Sequence, residues 1–111
     1  MISIKIFRKN QKVVGYSAKG HSGYDEIGKD IVCAAVSIIM QNPLGGMEDV
    51  LKVTPKYVIN DDGYLEVNIK DMDTQGKDKE IETLLETMVI MTKALEVEYP
   101  KYIKLVEKEV K

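Results

Sequence analysis

A two-layer α+β sandwich is the fold this sequence predicts, with a four-stranded, mainly antiparallel sheet beneath helices in the order ββαββα. Three observations carry that reading: two pairs of short runs with alternating apolar residues, one long apolar segment without alternation, and one segment whose apolar residues recur every three or four positions. Hairpins that each bury one face need helices laid against that face, and two layers follow. Patterns of this kind do not encode the order of strands within the sheet.

Ile2, Ile4 and Ile6 alternate with Ser3 and Lys5. Beyond a polar turn from Arg8 to Lys12, a second run places Val14, Tyr16 and Ala18 on one face, which predicts an antiparallel hairpin. Gly20, Gly23 and Gly28 punctuate a polar stretch, so residues 20–29 are expected to form a mobile loop. Asp30 is a good N-cap for the run IVCAAVSIIMQ, which is apolar nearly all the way round and reads as a buried helix. Pro43 and the pair Gly45-Gly46 should kink or interrupt it, leaving Met47 to Leu51 as its last turns or a short separate helix. Tyr57 to Ile59 and Tyr64 to Lys70 flank Asn60-Asp61-Asp62-Gly63, a second hairpin. After a turn at Asp71, Asp73 and Thr74, the spacing of Ile81, Leu84, Leu85, Met88, Met91 and Leu95 predicts an amphipathic helix from Lys77 to Tyr99. Pro100 should end it, and Tyr102, Ile103 and Val106 read as a final helical turn or two.

A chain of 111 residues that is 44% hydrophobic and 31% charged fits one domain spanning residues 1–111. Sixteen basic against eighteen acidic residues leave a formal charge of −2, without the strong basic field that dominates nucleic-acid affinity, so DNA or RNA is not an expected partner. One cysteine cannot form an internal disulfide, and the start MISIKIFRK alternates like a strand where a signal peptide would be continuously apolar; a cytoplasmic location is the expectation. The longest uncharged run, Ile31 to Met47, is shorter than the roughly 20 apolar residues of a spanning helix, so no membrane segment is expected.

GHSGYDEIGKDIVC, residues 20–33, contains the only histidine and the only cysteine, His21 and Cys33. With Asp30 as N-cap, Cys33 falls at the third helical position, where unpaired backbone N–H groups and the positive end of the helix dipole favour a thiolate. Asp30 opposes this unless its carboxylate is occupied in capping N–H groups or in orienting the histidine. Ser37, one turn on, shares the face of Cys33. The alternative is an inert thiol packed in apolar surroundings and a histidine in a solvated turn. Two weaker readings are a phosphate at the helix N-terminus and a metal held by Asp25, Glu26 and Asp30; the glycines match neither the dinucleotide fingerprint nor the P-loop.

Taken together, GHSGYDEIGKDIVCAAVS, residues 20–37, closely resembles the signature of the ribosomal-processing cysteine protease family, Prp. The resemblance implies a cysteine-protease-like domain with His21 as catalytic base and Cys33 as nucleophile, Gly20, Asp30 and Ser37 at supporting positions, and neither cofactor nor metal. It implies as substrate the N-terminal extension of large-subunit ribosomal protein twenty-seven, cut after a pair of phenylalanines. It also implies a homodimer, which Met88, Val89, Ile90 and Met91 support by being apolar on too many faces for a one-sided helix. Asn42-Pro43-Leu44-Gly45-Gly46 departs from the family pattern at the far end of the central helix. Two other classes are compatible with the residues alone: a non-catalytic ribosome-assembly binding protein, and a thiol-based regulator in which Cys33 acts and His21 is dispensable.

Overall fold

The structure, a computed structural model, describes residues 1–26 and 29–111. Strands β1 (Ile2–Lys9) and β2 (Lys12–Lys19) form the first hairpin, and helix α1 (Ile31–Gly45) runs on into a π-helical turn at Gly46–Val50. Strands β3 (Lys56–Asn60) and β4 (Tyr64–Asn68) form the second hairpin, followed by helix α2 (Asp78–Glu98) and strand β5 (Ile103–Glu109). The sheet has the order β3-β4-β2-β1-β5, antiparallel except for the parallel pair β1 and β5.

The predicted four strands are therefore five, and the order is ββαββαβ. The residues read as a final helical turn are β5, because Ile103 and Leu105 alternate with Lys104 and Val106 and extend the apolar rows of Ile2 and Ile4. A parallel edge strand with two core residues gives too short an alternation to stand out after a proline. The first hairpin also differs in register. Asn10 and Gln11 both have positive φ, 52° and 71°, which makes the turn two residues rather than five and matches the twist of the flanking strands. A bulge then shifts β2, pairing Phe7 with Gly15 but Arg8 with Val13, so Val13, not Val14, joins Tyr16 and Ala18 in the core.

Helix α1 buries one side, Val32, Val36, Met40, Pro43 and Leu44, while Ile31 and Ile38 are 55% and 70% exposed, so it is half-covered rather than enclosed. Pro43 does not break it. Gly46 continues it with φ −60° and bonds back to both Asn42 and Pro43 carbonyls, and the Leu51 N–H reaches Gly46 O, the wider spacing of a π turn. Together these turns make a continuous helix of 20 residues, Ile31–Val50, long and apolar enough by composition to span a membrane; here its buried side lies on the sheet. The expected mobile loop at 20–29 includes Gly28, which with Ile27 lies outside the described residues. Its described part is pinned at two points: Ser22 is buried, and the Tyr24 ring stands edge-on to Tyr99 and Tyr102.

Candidate active site

The start of α1 is built around one carboxylate. Asp30 has extended backbone angles, and its Oδ1 accepts the Val32 and Cys33 N–H groups at 3.0 and 2.9 Å. Its Oδ2 accepts the hydroxyl of Ser22. Burial, which would raise the Asp30 carboxyl, is outweighed by the Ser22 hydroxyl and the Cys33 groups, which lower it from 3.8 to about 2. The charge is thus committed to the cap.

Cys33 is half-buried, and its Sγ faces Ser22: the Ser22 N–H donates to the sulfur at 3.3 Å, and the thiol lies 3.6 Å from Ser22 Oγ. Ser22 Oγ also accepts the Tyr24 N–H at 3.1 Å. One donated and two accepted bonds exhaust the capacity of that hydroxyl, so Ser22 is fixed in a single orientation. The hydroxyl beside the sulfur is therefore Ser22. Ser37, assigned that place by helical spacing, instead accepts from Gln41 Nε2 at 2.8 Å further along the cleft.

His21 is positioned by backbone. Gly20 has φ +100° and donates its N–H to Gly63 O at 2.9 Å, and a Cβ on Gly20 would lie 2.6 Å from Met1 O, so only glycine fits. The Met1 ammonium donates to His21 O at 2.6 Å. The ring lies over Gly63, where a Cβ would come within 3.0 Å of Cε1 and Nε2. His21 and Cys33 line one cleft of about 240 Å³, with Val36 and Met40 of α1 on one wall and Ile59 and Leu65 of the second hairpin on the other. Among the described residues no hydrogen bond joins the His21 ring to Cys33 or to Asp30, and the Asp30 carboxylate is bonded to the cap and to Ser22.

The profile of the family described as cysteine protease Prp matches residues 1–104. The chain belongs to the Prp family of cysteine proteases. A ribosomal processing cysteine protease Prp of Staphylococcus aureus is 28% identical over 106 residues, covering 95% of this chain and 97% of the relative. Two crystal structures of the S. aureus Prp, one with a covalently linked product peptide and one with a substrate peptide, superpose with TM-scores of 0.85 and 0.81 at 27% and 26% identity. Each covers 97% of this chain and 100% of the other. As a Prp-family protein the chain is a cysteine protease, and its single cysteine lies in the described cleft. Ser22 was missed from sequence; nothing in its spacing signals that the loop curls back onto Asp30 and Cys33.

Proposed function

We propose that this protease removes the N-terminal extension of large-subunit ribosomal protein twenty-seven, with Cys33 as nucleophile and His21 as general base, working as a cytoplasmic homodimer. The observation that carries the reading is that the sole cysteine, at a helix start, shares an apolar-walled cleft with the sole histidine. The S. aureus relative is named for ribosomal processing and binds peptide, which supports a ribosomal protein as substrate.

In this mechanism His21 takes the Cys33 proton and the thiolate attacks the scissile carbonyl. The oxyanion needs donors beside the sulfur. The Val32 and Cys33 N–H groups are already bound to Asp30, whereas the Ser22 N–H points at Sγ, so Ser22 is the donor placed for it. His21 then protonates the leaving amine, and water releases the acyl group. Val36, Met40, Ile59 and Leu65 offer the apolar lining that an aromatic residue before the cut requires. The test is processing of the extended ribosomal protein, read by mass spectrometry. The wild type should release the extension after an aromatic pair, while Cys33→Ser and His21→Ala, folded by circular dichroism, should not. Cleavage by Cys33→Ser at the parent rate would rule the mechanism out.

A further inference from the structure

The helices cover one face of the sheet, and the other face is open. Its register is defined: Ser3 pairs with Lys19 on one side and Lys104 on the other, Lys5 lies one row along, and Phe7 pairs with Lys108. Lys56 extends the surface at the β3 edge, opposite Asn68. Lys5, Lys19, Lys56, Lys104 and Lys108 thus share this face, the last three on its edge strands, and among the described strand residues the one carboxylate on it is Glu66, which accepts the Tyr64 hydroxyl at 2.6 Å. The net charge of −2 is an average over two unlike sides, since the helical layer carries acids such as Glu48, Asp49, Asp78, Glu80 and Glu82.

A depression of about 410 Å³ lies in the middle of this face, floored by Ser3 and Ser17 and bordered by Lys5, Lys19, Phe7, Tyr64 and Glu66. Phe7 and Tyr64 are both half-buried. Small residues at the floor, flat rings at the rim and cations around them form a platform for a polyanion that carries aromatic groups of its own. A second copy of the chain is a poor occupant, because a two-fold contact through this face would set five lysines against five.

We propose that the helix-free face binds single-stranded nucleic acid, with the lysines on phosphates and Phe7 and Tyr64 stacking on unpaired bases. Tyr64 also borders the peptide cleft, so the two surfaces adjoin without overlapping at Lys5, Phe7 or Lys104. The experiment is fluorescence anisotropy of a labelled uridine oligomer of about twelve nucleotides across a salt series, beside a poly-glutamate peptide of matching charge. The affinity should fall with salt at a log–log slope of about −3.5 for five phosphate contacts, and Lys5→Gln with Lys104→Gln should reduce that slope by about 1.4. Phe7→Ala should weaken RNA binding about tenfold and leave poly-glutamate unchanged. Cleavage of a short peptide substrate should be the same in the lysine variants as in the parent, showing that fold and active site are intact. No RNA binding at about 100 µM in low salt would overturn the proposal. So would equal binding of poly-glutamate with no effect of Phe7→Ala, which would mark an acidic-peptide surface.

Discussion

Asp30 ties together the helix start, the loop and the nucleophile, and its titration should be visible in stability. Its carboxyl is lowered in the folded chain from 3.8 to about 2. A carboxyl held below its unfolded value contributes stability that is fully present above that value and is lost as pH falls through the folded one. Denaturant midpoints should therefore drop between about pH 4 and pH 2, beyond what the other carboxylates cause. Asp30→Asn keeps the cap but not the charge, and should flatten this part of the profile. Ser22→Ala removes a hydroxyl that lowers the carboxyl, so the gap between folded and unfolded values narrows and the drop should become smaller. An Asp30→Asn profile that superposes on the parent would show that the carboxylate is not linked to folding. Asp30 and Cys33 were legible in sequence because a cap acts across three residues. Ser22 was not, because its bonds span eight and eleven residues and depend on how a glycine-rich loop closes.

At the scale of elements, the contact between α1 and α2 rests on a missing side chain. A Cβ on Gly46 would lie 2.8 Å from Leu84 Cδ1 and 3.0 Å from Cδ2. Gly46→Val should therefore destabilise the fold by about 1–3 kcal/mol through overpacking, measured by urea denaturation. Gly46→Ala should cost less, since its helix propensity is better by about 1 kcal/mol and the tip of Leu84 can swing. Leu84→Ala in the Gly46→Val background should recover part of the loss, and strict additivity of the two changes would deny the contact. In sequence, Pro43 and the two glycines read as a kink or an interruption, with Met47 to Leu51 as last turns or a separate helix. They are instead buried proline and close-approach glycine within one helix, a distinction that only the partner helix defines. The same limit applies to β2 and β5. Alternation located β2 but not β5, whose residues read as a helical turn, and both the bulge at Val14 and the parallel pairing with β1 depend on neighbours that are distant in the chain.

The whole molecule has two sides of different chemistry, and that difference bears on assembly. In the segment Met88–Met91, Met88 and Val89 face the core at 3% and 2% exposure, while Ile90 and Met91 are 65% and 49% exposed. Ile90, Ala94 and Val97 recur at intervals of four and three, so they line one stripe of α2 that is exposed among the described residues, and Val97 is 80% exposed. The open sheet face repels a second copy through its lysines, whereas this stripe carries no such penalty at its apolar positions. A two-fold dimer through α2 would cover the stripe and leave both the peptide cleft and the basic sheet face free. Sedimentation velocity at micromolar concentration should give a species of twice the 12.5 kDa chain mass. Ile90→Glu with Val97→Glu should give a species of one chain mass, because two closely apposed carboxylates per subunit would have to be buried against their symmetry mates. If the wild type sediments as a monomer, the stripe is not a dimer contact. If the double variant remains a dimer, the interface lies elsewhere, with the exposed Ile31 and Ile38 of α1 the next apolar surface to alter.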